Sequence, residues 1–111
     1  MTPDPAFHFE YEKSTDQLQL PLTTIKCHGR LTVNSAAELK NFVKPLIDAG
    51  GHHIVIDCSD LQLVDSSGLG TLVGLKVSAV NKGLVHLELV NLSSRVAELL
   101  KLTRLTDLLT K

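Results

Sequence analysis

The stretch HHIVIDCSD, residues 52–60, constrains this chain more than any other. Its uninterrupted Ile54-Val55-Ile56 run reads as a central strand covered on both faces. A helical pattern lies on each side of it. Upstream, Leu39, Phe42, Val43, Leu46 and Ile47 recur at i, i+3, i+4, i+7 and i+8, one continuous apolar stripe. Downstream, Leu69, Leu72, Val73, Val77 and Val80 point inward from a helix over about Ser67 to Asn81, stopped at Lys82-Gly83. A strand joined to others through helices needs crossovers, and crossovers impose a largely parallel sheet.

The remaining elements fill in around that unit. Residues 7–11, FHFEY, alternate apolar and polar and predict a short strand. Residues 16–29 read as a turn and then a second strand, with Ile25 and Cys27 alternating with Lys26 and His28; Pro21 marks a strand edge or bulge near its start. Ser35 and Glu38 form an S-x-x-E capping box for the first helix, Pro45 should bend that helix, and DAGG (48–51) ends it. Leu61, Leu63 and Val64 carry apolar character into a loop after residue 60. Residues 84–90 alternate as a half-exposed strand, Ser93 or Ser94 caps a helix bearing Val96, Leu99 and Leu100, and 103–110 form a short terminal helix. The expected fold class is α/β: one domain over 7–111, a mixed, mostly parallel sheet with about four helices in the order β-β-α-β-α-β-α-α. Residues 1–6, with two prolines, are expected to be a flexible end. A chain of 111 residues has room for one core, and with aromatics at 4% and no Trp that core must be Leu, Val and Ile.

A formal net charge of -1 offers no basic surface, so nucleic acid is not an expected partner. No apolar stretch approaches the roughly 20 residues that span a bilayer, so no direct membrane insertion is expected. The start, MTPDPAFHFE, lacks the basic-then-apolar pattern of a signal peptide. Cys27 and Cys58 fit neither a CxxC pair nor a disulfide framework and read as small buried hydrophobes. Together these features predict a cytoplasmic protein. Oligomeric state is open, because the strand at 84–90 could be an unpaired edge or a covered one.

The turn VDSSGLG (64–70) leaves the central strand at its carboxyl end, where open α/β sheets gather ligands and reactive groups. Asp65 or Ser66 can cap the following helix. Gly68 and Gly70 cost about 0.5–1 kcal/mol each in a helix relative to Ala, so they need a reason; one is a bare turn open to a large partner. With the strand before it, IVIDCSDLQLVDSSGLGTLVGL strongly resembles the signature of the STAS domain, in particular of bacterial anti-sigma factor antagonists. These carry a buried strand ending in Asp, a short loop, and D-S-[ST]-G-L-G opening a helix. The specific match covers those 22 residues; the length and order of elements match over roughly 7–109.

The resemblance implies a protein-binding switch and not an enzyme. Ser66 is carried over as the phosphorylation site, with Ser67 as the backup acceptor. The implied partners are an anti-sigma factor serine kinase, sequestered by the unphosphorylated protein so that a sigma factor is released, and a metal-dependent serine phosphatase that reverses the modification. The partner-binding surface would comprise Arg30, Thr32, Asn34, Asp65, Ser66, Ser67, Gly68, Leu69 and Gly70. One position departs from the pattern: the second strand of the family usually ends G-x-[LI]-D, and here Thr32 stands where that Asp is expected, with Arg30 two residues earlier. The alternative is a STAS scaffold or accessory module of a signalling assembly or membrane transport system, without a sigma-factor role.

Other chemistries have weaker support. A serine on a strand-to-helix turn resembles a hydrolase nucleophile elbow, but the text lacks G-x-S-x-G, and His8, His28, His52, His53 and His86 are scattered over strand patterns. Cys27-His28, His52-His53 and Cys58 match no zinc-ligand spacing, and alternation sends Cys27 and His28 to opposite faces, so no metal is expected. No G-x-x-x-x-G-K-[ST] is present, and no cofactor is expected.

Overall fold

A computed structural model describes residues 7–111, so the flexible end expected at 1–6 lies outside the described residues. These form β1 (Phe7–Thr15), β2 (Pro21–Leu31), α1 (Val33–Ala49), β3 (His52–Val64), α2 (Ser66–Lys82), β4 (Val85–Val90), α3 (Ser94–Leu102) and α4 (Thr106–Thr110), in the expected order. The strands make a four-stranded sheet ordered β1-β2-β3-β4. β1 is antiparallel to β2; β2, β3 and β4 are parallel.

β2, β3 and β4 are neighbours in space as in sequence. Right-handed crossovers that step repeatedly in one direction place every connecting helix on the same face. The helices accordingly pack against one another and against one side of the sheet. This corrects the expectation that β3 is covered on both faces: Ile54, Ile56 and Cys58 are fully buried, whereas Val55 and Asp57, pointing the other way, are half-buried. An apolar triplet records β propensity at Val55, not which face the crossovers cover. The open face is polar, and Glu10, Lys26 and Asp57 stand in one cross-strand row on it.

Two boundaries and the buried face of one helix differ from the sequence reading for local reasons. β3 runs on to Val64 because β2 and β3 stay paired through two irregularities, between Lys26 and His28 and between Gly29 and Arg30. Each inserts an extra residue into β3, which breaks the period-two alternation by which a strand is recognised. The N-cap of α1 is Thr32, and Ser35 is the N3 residue of a Thr32/Ser35 capping box, with the Thr32 N–H donating to Ser35 Oγ at 2.7 Å. α1 continues unbroken through Pro45 to Ala49. α2 faces the core through Gly68, Leu72, Leu75, Lys76 and Ala79, while Val77 and Val80 are exposed. Lys76 reverses the phase expected from hydropathy because its Nζ donates to the Leu87 carbonyl of β4 at 2.6 Å, and burial holds its ammonium below the ordinary lysine value.

The core is aliphatic, with Ile25, Leu31, Leu39, Ile54, Ile56 and Leu87 among its fully buried members. Cys27 and Cys58 are both free thiols at 0% exposure. Burial pushes the Cys27 thiol up to about 12 and raises Cys58 as well. A thiol-specific disulfide reagent at pH 8 is therefore expected to leave both unlabelled in the folded protein and to label both in denaturant. Rapid native labelling of either would contradict this packing. Among the described residues, no helix is long and apolar enough to cross a membrane.

Candidate functional site

The last residues of β2 and β3, Leu31 and Val64, are paired, and only Asp65 separates β3 from α2. Asp65 is held by three hydrogen bonds. Its N–H donates to the Leu31 carbonyl at 3.1 Å, and its carbonyl accepts from the Leu69 N–H at 2.8 Å. Its Oδ1 accepts from the Gly68 N–H at 2.8 Å, which makes Asp65 the N-cap of α2. The carboxylate thus folds inward over the helix start, and Ser66 and Ser67, the first two helical residues, are exposed.

The two glycines of the turn serve different ends. Gly68 is buried, and a Cβ added there would overlap the Leu31 carbonyl oxygen and lie 3.1 Å from the Leu31 carbonyl carbon and Cγ. Its role is close approach of α2 to the end of β2, which corrects the expectation that it keeps the turn bare for a partner. Gly70 is exposed, and an added Cβ there would meet nothing within 4 Å. Leu69 is half-buried against the core.

α1 begins beside this turn, since Thr32 follows directly on Leu31. Thr32 is half-buried as the α1 cap; Arg30 and Asn34, on either side of it, are exposed. The chain therefore brings Arg30, Thr32, Asn34 and residues 65–70 to one end of the sheet. Two apolar side chains add to that end, Val33 at 64% and Leu63 at 41% exposure, with Leu63 paired to Arg30. Lys40 and Lys44 of α1 join Ser66, Ser67, Gly70 and Gly74 of α2 around a groove of about 390 Å3. Sequence reasoning passed over these lysines because they lie outside the apolar stripe of α1; their i, i+4 spacing puts them together on one flank. His52 and His53, at the first residues of β3, stand at the opposite end of a 13-residue strand from Ser66, so neither can serve it as a base.

The profile of the STAS domain matches residues 13–111. The chain belongs to the STAS domain family. This STAS domain is 31% identical over 85 residues to the anti-sigma-B factor antagonist of Staphylococcus epidermidis, a match spanning 77% of this chain and 78% of that one. Among solved structures, the unphosphorylated form of the anti-sigma factor antagonist SpoIIAA is similar with a TM-score of 0.73 and 20% identity, over 93% of this chain and 86% of that one. The phosphorylated form of the Bacillus cell fate determinant SpoIIAA is similar with a TM-score of 0.69 and 19% identity, over 93% and 89% of the two chains. These structural likenesses bear on the fold, which is that of SpoIIAA.

Proposed function

We propose that this STAS domain is an anti-sigma factor antagonist whose binding face is switched by phosphorylation of Ser66, with Ser67 as the alternative acceptor. Unphosphorylated, it sequesters an anti-sigma factor serine kinase and so frees a sigma factor; a serine phosphatase restores it after modification. The observation that carries the reading is the exposure of the Ser66 side at the first turn of α2 while Asp65 and Gly68 lock that turn from beneath. The match to an anti-sigma-B factor antagonist over most of both chains supports it.

A phosphate on Ser66 sits at the positive end of a 17-residue helix, where an anion is favoured. Modification therefore leaves α2 folded and acts outward, placing about -1.5 to -2 charges in a surface that must lose water to dock. Exposed Val33 and Leu63 give that surface apolar contact area, and Arg30, Thr32 and Asn34 border it. Thr32 favours a second reading, a scaffold or transporter-accessory module, because a capping hydroxyl cannot present the carboxylate usual at this place. Recovery of the tagged chain from its own cells separates the two. An ATP-binding serine kinase in the eluate is the expected result; a transporter or a large homomeric complex in its place would overturn the antagonist reading.

A further inference from the structure

On the open face, at the far end of β3 from Ser66, three metal-binding side chains converge across the β3–β4 ladder. His53 and His86 are directly paired in register, and Glu88 lies two residues beyond His86 on the same face. One ligand atom from each lies within 4.8 Å of the others. The Glu88 carboxylate divides itself between the imidazoles, with Oε1 at 3.2 Å from His53 Nε2 and Oε2 at 3.7 Å from His86 Nε2. The two rings meet edge to face at 4.9 Å between centroids.

What lies behind His53 distinguishes this cluster from a chance meeting of polar side chains. Asp16 Oδ2 stands 3.4 Å from His53 Nδ1. Asp16 is itself fixed in the β1–β2 turn, its Oδ1 accepting the N–H groups of Leu18 at 2.8 Å and Leu20 at 2.9 Å. With Nδ1 facing the Asp16 carboxylate, Nε2 is the ring atom left to face Glu88 and His86 as a ligand, the carboxylate–histidine arrangement that supports metal ligands. A divalent cation bound there would take the place of the proton shared between His53 Nε2 and Glu88 and give the two imidazoles and the carboxylate one common partner.

We propose that His53, His86 and Glu88 bind one divalent transition-metal cation of the zinc class, with Asp16 as the positioning residue behind His53. Two imidazoles and one carboxylate are a donor set suited to Zn2+, and three protein ligands leave a fourth position for water or another donor. Tetrahedral ligands at ~2.0–2.1 Å from zinc stand ~3.4 Å apart, so the cluster closes by roughly 1 Å. His86, at 51% side-chain exposure, is free to make that movement, while His53 at 21% is the fixed point. Bound metal would tie the edge strand β4 to β3, and through Asp16 to the β1–β2 turn. His52, next in sequence, takes no part: its Nε2 lies 2.8 Å from Thr23 Oγ1.

The test is calorimetric titration of the tag-free, chelator-treated full chain with Zn2+, with Co2+ absorption as a coordination readout. The expected result is one equivalent bound, a visible Co2+ band of four- or five-coordinate type, and a Tm raised by a few degrees at saturation. His86→Ala and Glu88→Gln are expected to weaken binding on the order of 100-fold or more with unchanged circular dichroism. Asp16→Asn is expected to weaken it roughly 10–100-fold while keeping the Co2+ band. His8→Ala, altering a ring stacked on His28 elsewhere on the face, is expected to change nothing. Absence of saturable one-to-one binding, or binding that survives His86→Ala, would overturn the proposal. It stands apart from the antagonist reading, since none of its residues belongs to the Ser66 face.

Discussion

Gly68→Ala is expected to destabilise the fold by about 3 kcal/mol, lowering Tm on the order of 10–20 °C in a domain of this size. The added methyl runs into main chain, the Leu31 carbonyl, and not into a side chain that could rotate away. Relief requires α2 to lift from the end of β2. That movement would break the Asp65 N–H to Leu31 hydrogen bond of 3.1 Å and disturb the cap on Gly68. Gly70→Ala, two residues on, is the matched control. It meets nothing within 4 Å and should gain about 0.5–1 kcal/mol, because Ala loses less chain entropy in a helix. Denaturant melts of the two variants check the pair: similar midpoints would mean that α2 does not approach Leu31 this closely.

Ser66→Asp is expected to keep the circular dichroism spectrum and melting temperature of the parent while weakening kinase binding on the order of 100-fold, about 2.7 kcal/mol. The residue is exposed at the first helical position, so a carboxylate there costs the fold nothing and agrees with the helix dipole. In a docked complex the same carboxylate would lose water without gaining a partner, beside the carboxylate of Asp65. Ser66→Ala, which removes only an exposed hydroxyl, should bind within about 0.5 kcal/mol of the parent and resist phosphorylation. A titration of each variant against the purified kinase reads both effects. Equal affinities for the two would break the link between charge at this position and docking.

Element order, the mixed sheet and the DSSG turn were legible in the sequence because each is written in a local period or cap. The Leu39–Ile47 stripe, the alternation at 84–90 and Asp65 before two serines are all short-range signals. What was not legible depends on partners distant in the chain. Val55 is apolar yet only half-covered, because helix placement follows strand order and not the triplet itself. Val77 and Val80 carry more hydropathy than Lys76, but the Leu87 carbonyl draws Lys76 inward and turns the helix. Gly68 read as a bare surface because the carbonyl it must clear is 37 residues earlier, at Leu31. The His53, His86 and Glu88 cluster follows the same rule, since a search for ligand spacing along the chain does not see a set assembled across a strand ladder.

The central claim is that a hydroxyl at the start of α2 is the switched group. Intact-mass measurement of the protein from its own cells, followed by fragmentation to locate any added group, tests it most directly. The account predicts a population heavier by one phosphate, carried on Ser66 or in its place Ser67, which phosphatase treatment returns to the unmodified mass with regained kinase binding. A protein that co-purifies with its kinase yet carries no phosphate at either serine, or carries it elsewhere, would contradict the account.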